Sequence, residues 1–144
     1  MPEPQNFQNH TRYHAPFHFV FAPLALINLI WAIYNLYRNP GAGELQGLVI
    51  ALVILMAGFL ARTSALKAQD RVIRLEENLR YQKILTPELA KKAEALSPGQ
   101  LVALRFASDA ELSGLVQQTL DGKFEKGKDI KLAIKNWRGD YLRV

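Results

Sequence analysis

Residues 17–37 read FHFVFAPLALINLIWAIYNLY, a stretch without a single Asp, Glu, Lys or Arg. As a helix this stretch is about 31 Å long at 1.5 Å per residue, which matches the roughly 30 Å hydrocarbon core of a bilayer. Its polar side chains Asn28 and Asn35 suit a spanning helix if their amides face another helix rather than lipid. Rings near both ends, such as Tyr13 and Tyr37, fit the headgroup level. The stretch therefore predicts one membrane-spanning helix.

A second uncharged run, residues 45–61, reads LQGLVIALVILMAGFLA. It reaches only about 25 Å as a helix, so it spans by recruiting flanking residues such as Arg62, whose long side chain can reach the membrane surface. The intervening Asn-Pro-Gly sequence predicts a tight turn that ends the first helix. We therefore predict an antiparallel transmembrane hairpin over 17–61, with spans at about 17–37 and 45–62. A helical hairpin buried in a soluble core is the alternative, disfavoured by the length of the uncharged runs.

The composition of the whole chain hides this division. The 144 residues are 49% hydrophobic, as in an ordinary soluble protein, but 16 of 18 basic and 11 of 13 acidic residues lie from Arg62 onward. The net charge of +5 therefore belongs to the second part of the chain. The absence of cysteine excludes disulfides, thiolate metal sites and cysteine nucleophiles.

Basic residues near the spans predict the orientation, because Lys and Arg resist translocation. The turn holds only Arg38, whereas six basic residues follow the second span by residue 83: Arg62, Lys67, Arg71, Arg74, Arg80 and Lys83. Both termini are therefore expected in the cytoplasm, at a bacterial inner membrane. Anionic lipid attracts each such residue by about 1 kcal/mol, so lipid headgroups are the predicted partners of the first four, Arg62, Lys67, Arg71 and Arg74. No nucleic-acid partner is predicted, because no recognised binding motif occurs.

A heptad pattern predicts that the second span continues as a cytoplasmic helical stalk over 62–82. Small or apolar residues recur at spacings that alternate three and four, which is the seam of a coiled coil or helical hairpin: Gly58, Ala61, Ala65, Ala68, Val72, Leu75 and Leu79. Together with Asn28, Asn35, Gly47 and Ala51 in the spans, they form the predicted helix–helix interface. The partner is the first span, the later helices or a second copy of the chain. A plainer interpretation is the packed face of a single helix.

Residues 83–144 predict a basic cytoplasmic region of short helices. Thr86 followed by Pro87 marks one helix start, and Ser97–Gln100 and Ser108–Glu111 fit capping boxes. Residues 129–137 fit either a last helix or a strand, and the helix is favoured because a lone strand would lack a partner. This region is small for a free-standing domain, so we expect it to lean on the stalk or on another subunit. An interfacial segment is predicted over residues 1–16. The predicted fold class of the whole chain is an all-α membrane protein.

Three segments carry a resemblance to a known family. They are residues 101–112 (LVALRFASDAEL), residues 134–144 (IKNWRGDYLRV) and residues 9–13 (NHTRY) leading to His18. Together they resemble a bacterial family of small two-span membrane proteins of unknown function, across nearly the whole chain. The resemblance implies the same layout, and it implies no activity, substrate or catalytic residue. This sequence departs from the family pattern at His14 and Gly139.

The histidines give the sharpest chemical signal. His10, His14 and His18 are spaced by four, so one helix would stack all three imidazoles on one face as metal ligands. Pro16 interrupts that helix, however, and no second His-rich or carboxylate-rich segment supplies further ligands. Interfacial histidines that bond to headgroups, water or carbonyls are the plainer interpretation.

No motif in the chain indicates catalysis. There is no glycine-rich phosphate loop, no HExxH and no GxSxG, and no small-molecule substrate or cofactor is implied. We therefore expect a non-enzymatic scaffold, accessory subunit or interaction module that self-associates or joins a larger membrane complex. One alternative is a metal- or cofactor-binding subunit of a membrane enzyme complex, which would use the histidines. Another is a transporter accessory protein acting as an oligomer, with Asn28 and Asn35 lining a path.

Overall fold

The chain is all-helical, as predicted. The computed structural model describes residues 4–11 and 13–141, and the described part contains no β-strand. Its helices are α1 (Pro16–Arg38), α2 (Ala42–Ile84), α3 (Pro87–Ala93), α4 (Pro98–Leu104), α5 (Asp109–Leu120) and α6 (Gly127–Ala133). They form two compact units. One comprises residues 13–67, and the other comprises residues 4–11 together with 68–141.

In the unit 13–67, α1 begins with a π-helical turn over Pro16–Phe21. Pro23 lies two residues after the end of this turn. A proline inside a helix removes a backbone hydrogen bond and crowds the preceding turn, which accounts for the local widening. A Cβ added at Gly58 of α2 would clash with the Phe21 ring, and Arg62 sits over the Phe17 ring at 5.9 Å. Both contacts join residues at matching distances from the connecting turn, as in an antiparallel hairpin.

Both long helices are apolar enough to cross a membrane. Only 6% of the most apolar window of each is buried within the protein. The second of them, α2, runs without interruption for 43 residues, through the predicted second span and the predicted stalk. Its first turn carries Glu44, where a carboxylate suits the positive end of the helix dipole.

The other unit has a buried apolar core to which every helix from α2 to α6 contributes. The core residues are Tyr81, Leu85, Ala93, Leu96, Leu101, Ala103, Leu104, Phe106, Ala107, Leu112, Leu115, Val116, Phe124, Ile130 and Ile134. Burying a large apolar side chain stabilises a fold by about 1.5–3 kcal/mol. Since Tyr81 belongs to α2, the short helices lean on the stalk as expected.

Local sequence signals place most of the short helices. The Thr86 hydroxyl accepts from Leu89 N at 3.4 Å, and the predicted box at Ser97 and Gln100 forms in both directions. The end of α5 is a glycine cap, because Gly122 has a φ of 80° and the following amide bonds back to the Gln118 carbonyl at 3.0 Å. The predicted box at Ser108 is wrong, since its hydroxyl donates to the Glu111 carboxylate at 3.0 Å instead of capping a backbone amide.

Residues 129–137 combine the two conformations weighed from the sequence. Helix α6 covers the first half and ends at Ala133, and Trp137 then forms an isolated antiparallel bridge with Ala107. Two hydrogen bonds hold the bridge: Ser108 N donates to the Asn136 carbonyl at 3.1 Å, and Arg138 N donates to the Phe106 carbonyl at 2.8 Å. The expectation that an extended segment would find no partner was therefore wrong, because the α4–α5 connection supplies one.

Candidate interaction site

Arg80 ties the end of α2 to the α4–α5 connection. Its Nε donates to Asp109 Oδ1 at 2.9 Å, and its Nη2 donates to the Ala107 carbonyl at 2.7 Å. Its Nη1 donates to Glu77 Oε2 at 3.1 Å, one helical turn away. Glu77 and Arg80 are only 4% and 9% exposed. Because buried charges are tolerated only when paired and hydrogen-bonded, these partners fix the position of the helix end.

The second oxygen of Glu77 connects α2 to the carboxyl-terminal segment. Arg138 Nη1 donates to Glu77 Oε1 at 3.3 Å, so the carboxylate is held between two guanidinium groups. Burial raises the pKa of Glu77, and the charges of Arg80, Arg138 and Arg105 oppose that rise without cancelling it. We call Glu77, Arg80, Asp109 and Arg138 the Arg80 cluster. It joins three chain segments that are far apart in sequence.

The amino-terminal segment is bound to the same region. The Gln5 side-chain amide donates to the Asp140 carbonyl at 3.1 Å, and Asp140 N donates to Gln5 Oε1 at 2.9 Å, so the amide pairs with both backbone polar groups of Asp140. The Asp140 carboxylate in turn pairs with Arg105 Nε at 3.1 Å. The two ends of the described chain are thus held together by hydrogen bonds.

His10 completes this contact through its ring. The imidazole lies 5.7 Å from the Phe106 ring and 5.6 Å from the Trp137 ring, centre to centre. Its Nδ1 lies 2.7 Å from the Phe7 carbonyl and its Nε2 lies 3.2 Å from Lys131 Nζ. A carbonyl accepts and an ammonium donates, so these two contacts match a His10 ring that donates from Nδ1 and accepts at Nε2.

An open groove of about 1200 Å³ lies beside the Arg80 cluster. One wall is the last part of α2 and the other is the segment from Trp137 to Tyr141. Its charged lining residues are four acids and four bases, which gives no net preference for an anion or a cation: Glu76, Glu77, Asp109, Asp140, Arg80, Lys83, Arg105 and Arg138. Apolar side chains, including Val72 and Leu79, line another part of the groove.

The three histidines do not share a helix face. His10 belongs to the unit with 68–141, whereas His14 and His18 belong to the unit 13–67, and helix α1 begins only after His14. His18 Nδ1 lies 3.0 Å from the His14 carbonyl, which is a local contact to the backbone. Residues 4–11 and 13–141 contain no group of three or more His, Cys, Asp or Glu side chains placed to hold a metal. The premise of one continuous helix through all three is wrong, and metal binding stays a prediction.

The predicted interface residues within the spans divide into two groups. Ala51 is buried and Gly58 contacts Phe21, so these positions face the partner helix of the same hairpin. Asn28 and Gly47 are exposed, and Asn35 is half-buried.

The rest of the predicted seam lies on the surface. Ala61 and Ala68 are exposed and Ala65 is half-buried. Val72, Leu75 and Leu79 are 54%, 62% and 52% exposed. The short helices pack instead on a different face of α2, the one that carries Ile73, Glu77, Arg80 and Tyr81.

The predicted headgroup residues lie along one helix. Lys67, Arg71 and Arg74 are exposed on α2, and Arg62 is half-buried over Phe17. Asp70 and Arg74 are four residues apart on α2, as are Glu76 and Arg80, but neither pair occurs among the ion pairs of the described residues. Arg80 pairs with Glu77 and Asp109 instead. Arg12 and Arg143, two further basic residues of the chain, lie outside the described residues.

The Arg80 cluster was not predicted from the sequence. One signal was available, because Ile73, Tyr81 and Ile84 form a second apolar stripe on α2 that passes through Glu77. A glutamate inside an apolar stripe needs a partner, but nothing local indicated that Arg138 would supply it. No feature of the sequence indicated the contacts of Gln5 and His10.

The comparisons with known proteins confirm the resemblance to a family of unknown function. No curated protein and no solved structure matches this chain. One family model matches residues 1–144, and its description is "Family of unknown function (DUF6526)". Because that match covers the whole chain, the protein belongs to the DUF6526 family of unknown function.

Proposed function

We propose that the chain is a two-span protein of a bacterial inner membrane that acts, without catalysis, as a scaffold, accessory subunit or interaction module. The observation that carries this proposal is the exposure of the apolar side chains of α1 and α2. Leu24, Ile27 and Trp31 are 60%, 62% and 63% exposed, in a helix of spanning length. Apolar surface left in water costs about 25 cal/mol per Å², whereas the same surface matches the interior of a bilayer.

The second unit has the pattern of a water-facing domain. Phe106, Leu112 and Ile130 are fully buried. The charged side chains lie at the surface, in the Arg80 cluster or, in the case of the buried Arg105, in an ion pair with Asp140. This contrast supports a membrane hairpin that carries a folded domain. A protein of this kind serves to hold its domain at the membrane surface.

The contact between the two chain ends supports the predicted topology. Gln5 bonds to Asp140 and His10 packs on Trp137, so both ends of the described chain belong to one unit. An even number of spans is required to leave both ends on the same side. The basic residues that follow the second span favour the cytoplasmic side.

Partners are expected on two surfaces. Asn28 is exposed in α1, and a polar amide in a bilayer is best satisfied by another helix, which favours self-association or a larger membrane complex. Lys67, Arg71 and Arg74 are exposed on α2 for anionic lipid headgroups. The charges of the Arg80 cluster are paired with one another, which suits a structural role better than proton transfer.

Alkaline carbonate extraction of membranes tests the membrane assignment. Integral proteins stay in the pellet, and we expect the full chain to stay there completely. Recovery in the supernatant would overturn the proposal.

Purification in mild detergent tests the role as an interaction module. It is expected to yield a complex larger than the monomer, and a monomer at all concentrations would contradict that role.

A further inference from the structure

Helix α2 carries two apolar faces beyond residue 67, and among residues 4–11 and 13–141 only one of them is covered. The inner face packs on the short helices through Ile73, Glu77 and Tyr81. The outer face carries Val72, Leu75 and Leu79, and lies roughly 165° around the helix axis from the inner face, at about 100° per residue. All three outer side chains are more than half exposed. An apolar stripe left uncovered on a charged helix marks an interaction surface.

The residue types on the outer face fit a two-stranded parallel coiled coil. The spacings from Ala68 to Val72, Leu75 and Leu79 are four, three and four, which is the heptad repeat. In heptad terms, the β-branched Val72 takes position a and Leu75 takes position d. This combination favours two strands over three or four.

We infer that Val72, Leu75 and Leu79 pack in register against the same residues of a second copy of this chain. The inference rests on the proposed function, because two copies anchored by the same topology have their α2 helices pointing in the same direction. It also names the surface through which the predicted self-association takes place.

The charged residues beside the stripe attract each other when two copies of the helix lie side by side in parallel. Arg71 takes position g and Glu76 takes position e of the next heptad, and a parallel dimer brings g of one helix to e of the other. Both side chains are exposed, and neither takes part in an ion pair among the described residues. Because the dimer is twofold symmetric, the pair Arg71–Glu76 would form twice. The next such pair, Asn78 with Lys83, contains no repulsion.

The structure leaves room for a partner helix on this side. Glu76 and Lys83, on the e side of the stripe, line the groove of about 1200 Å³ described above. A second helix on the outer face would place its Arg71 at the mouth of this groove, beside Glu76.

Disulfide cross-linking in membranes tests the inference, because the native chain contains no cysteine. The variants Val72→Cys and Leu75→Cys are oxidised mildly in the full-length protein. Facing a and d positions bring Cα atoms within the 4.4–6.8 Å that a disulfide requires, so both are expected to give covalent dimers. Arg74→Cys is the matched control, since it is an exposed neighbour that points away from the stripe. Equal yields at all three positions, or no dimer at Val72 and Leu75, would overturn the inference.

Charge reversal provides a second and independent readout. In the Leu75→Cys background, Arg71→Glu and Glu76→Arg each create like charges across the interface and are expected to lower the dimer yield roughly five-fold. The double variant restores the opposite pairing and should recover most of the yield. Single reversals without effect, or a double variant as poor as the singles, would overturn the parallel register.

The failure of the dimer can be distinguished from the failure of the proposed function. If the membrane pellet retains the protein while neither Val72→Cys nor Leu75→Cys gives a covalent dimer, the dimer is wrong and the two-span proposal stands. If carbonate extracts the protein, the proposed function itself fails.

Discussion

At the scale of single residues, Glu111 shows how a local motif gives way to a distant contact. The sequence predicts that it completes a capping box at the start of α5. Its carboxylate instead accepts from Lys135 N at 2.9 Å and from Asn136 N at 2.7 Å, so it holds the segment after α6 against α5. Partial burial pushes the pKa of Glu111 up, but these bonds and the Ser108 hydroxyl outweigh it, and the pKa is lowered overall.

We predict that Glu111→Gln lowers the free energy of unfolding by about 1 kcal/mol at neutral pH, because one backbone amide loses its acceptor. The folded pKa lies below the ordinary value, so the unfolded chain binds the proton more tightly. The contribution of Glu111 is therefore complete above a pH of about 4.5 and is lost as the pH falls through the folded pKa.

Urea unfolding in mild detergent at several pH values checks this prediction. The variant should lose less stability than the native chain on acidification. Glu125→Gln is the matched control, because Glu125 is exposed and makes no hydrogen bond within the described residues. If the two variants behave alike, the contact between Glu111 and the Lys135–Asn136 amides is not formed in solution.

At the scale of elements, the long uncharged runs and the helix caps were predictable because their signals are local. The absence of charge can be read directly along 17–37 and 45–61. The proline after Thr86 and the glycine at 122 determine the helix ends through contacts with residues close by in the sequence. The two faces of α2 were harder to predict, because both carry apolar residues at helical spacing. The face that the short helices cover contains Glu77 and Arg80, and a buried charge can be recognised only through its partners. Those partners, Asp109 and Arg138, are distant in sequence.

The Arg80 cluster allows a test of how α2 is held. Arg80→Met leaves Glu77 buried with only Arg138, and we predict a loss of about 3 kcal/mol in the free energy of unfolding. The double variant Glu77→Leu with Arg80→Met removes both buried charges, so it should recover about half of the stability that Arg80→Met loses. Urea unfolding followed by circular dichroism measures both. Additive losses in the double variant would show that the two side chains do not interact.

The hairpin allows a test with a matched pair of glycines in α2. Gly58→Ala places a methyl group against the Phe21 ring, so we predict a loss of about 1–3 kcal/mol in the free energy of unfolding from the strain of moving the ring. Gly47→Ala meets no atom within 4 Å and should be neutral or stabilising. Thermal unfolding in detergent compares the two. Adding Phe21→Ala to Gly58→Ala should relieve the clash, and failure to do so would contradict the packing of α1 on α2.

At the scale of the whole molecule, the sequence predicted an all-helical chain with a hairpin of two uncharged runs and a charged region. It did not predict that the amino-terminal segment would join the unit formed by 68–141. Gln5 and His10 reach Asp140 and Trp137 across almost the full length of the chain, and no composition or spacing encodes so distant a pairing. The spacing of the histidines suggested a helix through His10, where the chain instead makes polar and aromatic contacts with the carboxyl-terminal segment.

The central claim is that two spans leave both chain ends on the cytoplasmic side of the membrane. Labelling with a membrane-impermeant thiol reagent tests it most directly, because a cysteine introduced into this cysteine-free chain is the only target. Ala42 at the start of α2 and Lys128 in the carboxyl-terminal region are both exposed positions. In intact spheroplasts, Ala42→Cys is expected to react, and Lys128→Cys is expected to react only after lysis. Reaction of Lys128→Cys from outside, or of Ala42→Cys only after lysis, would contradict the account.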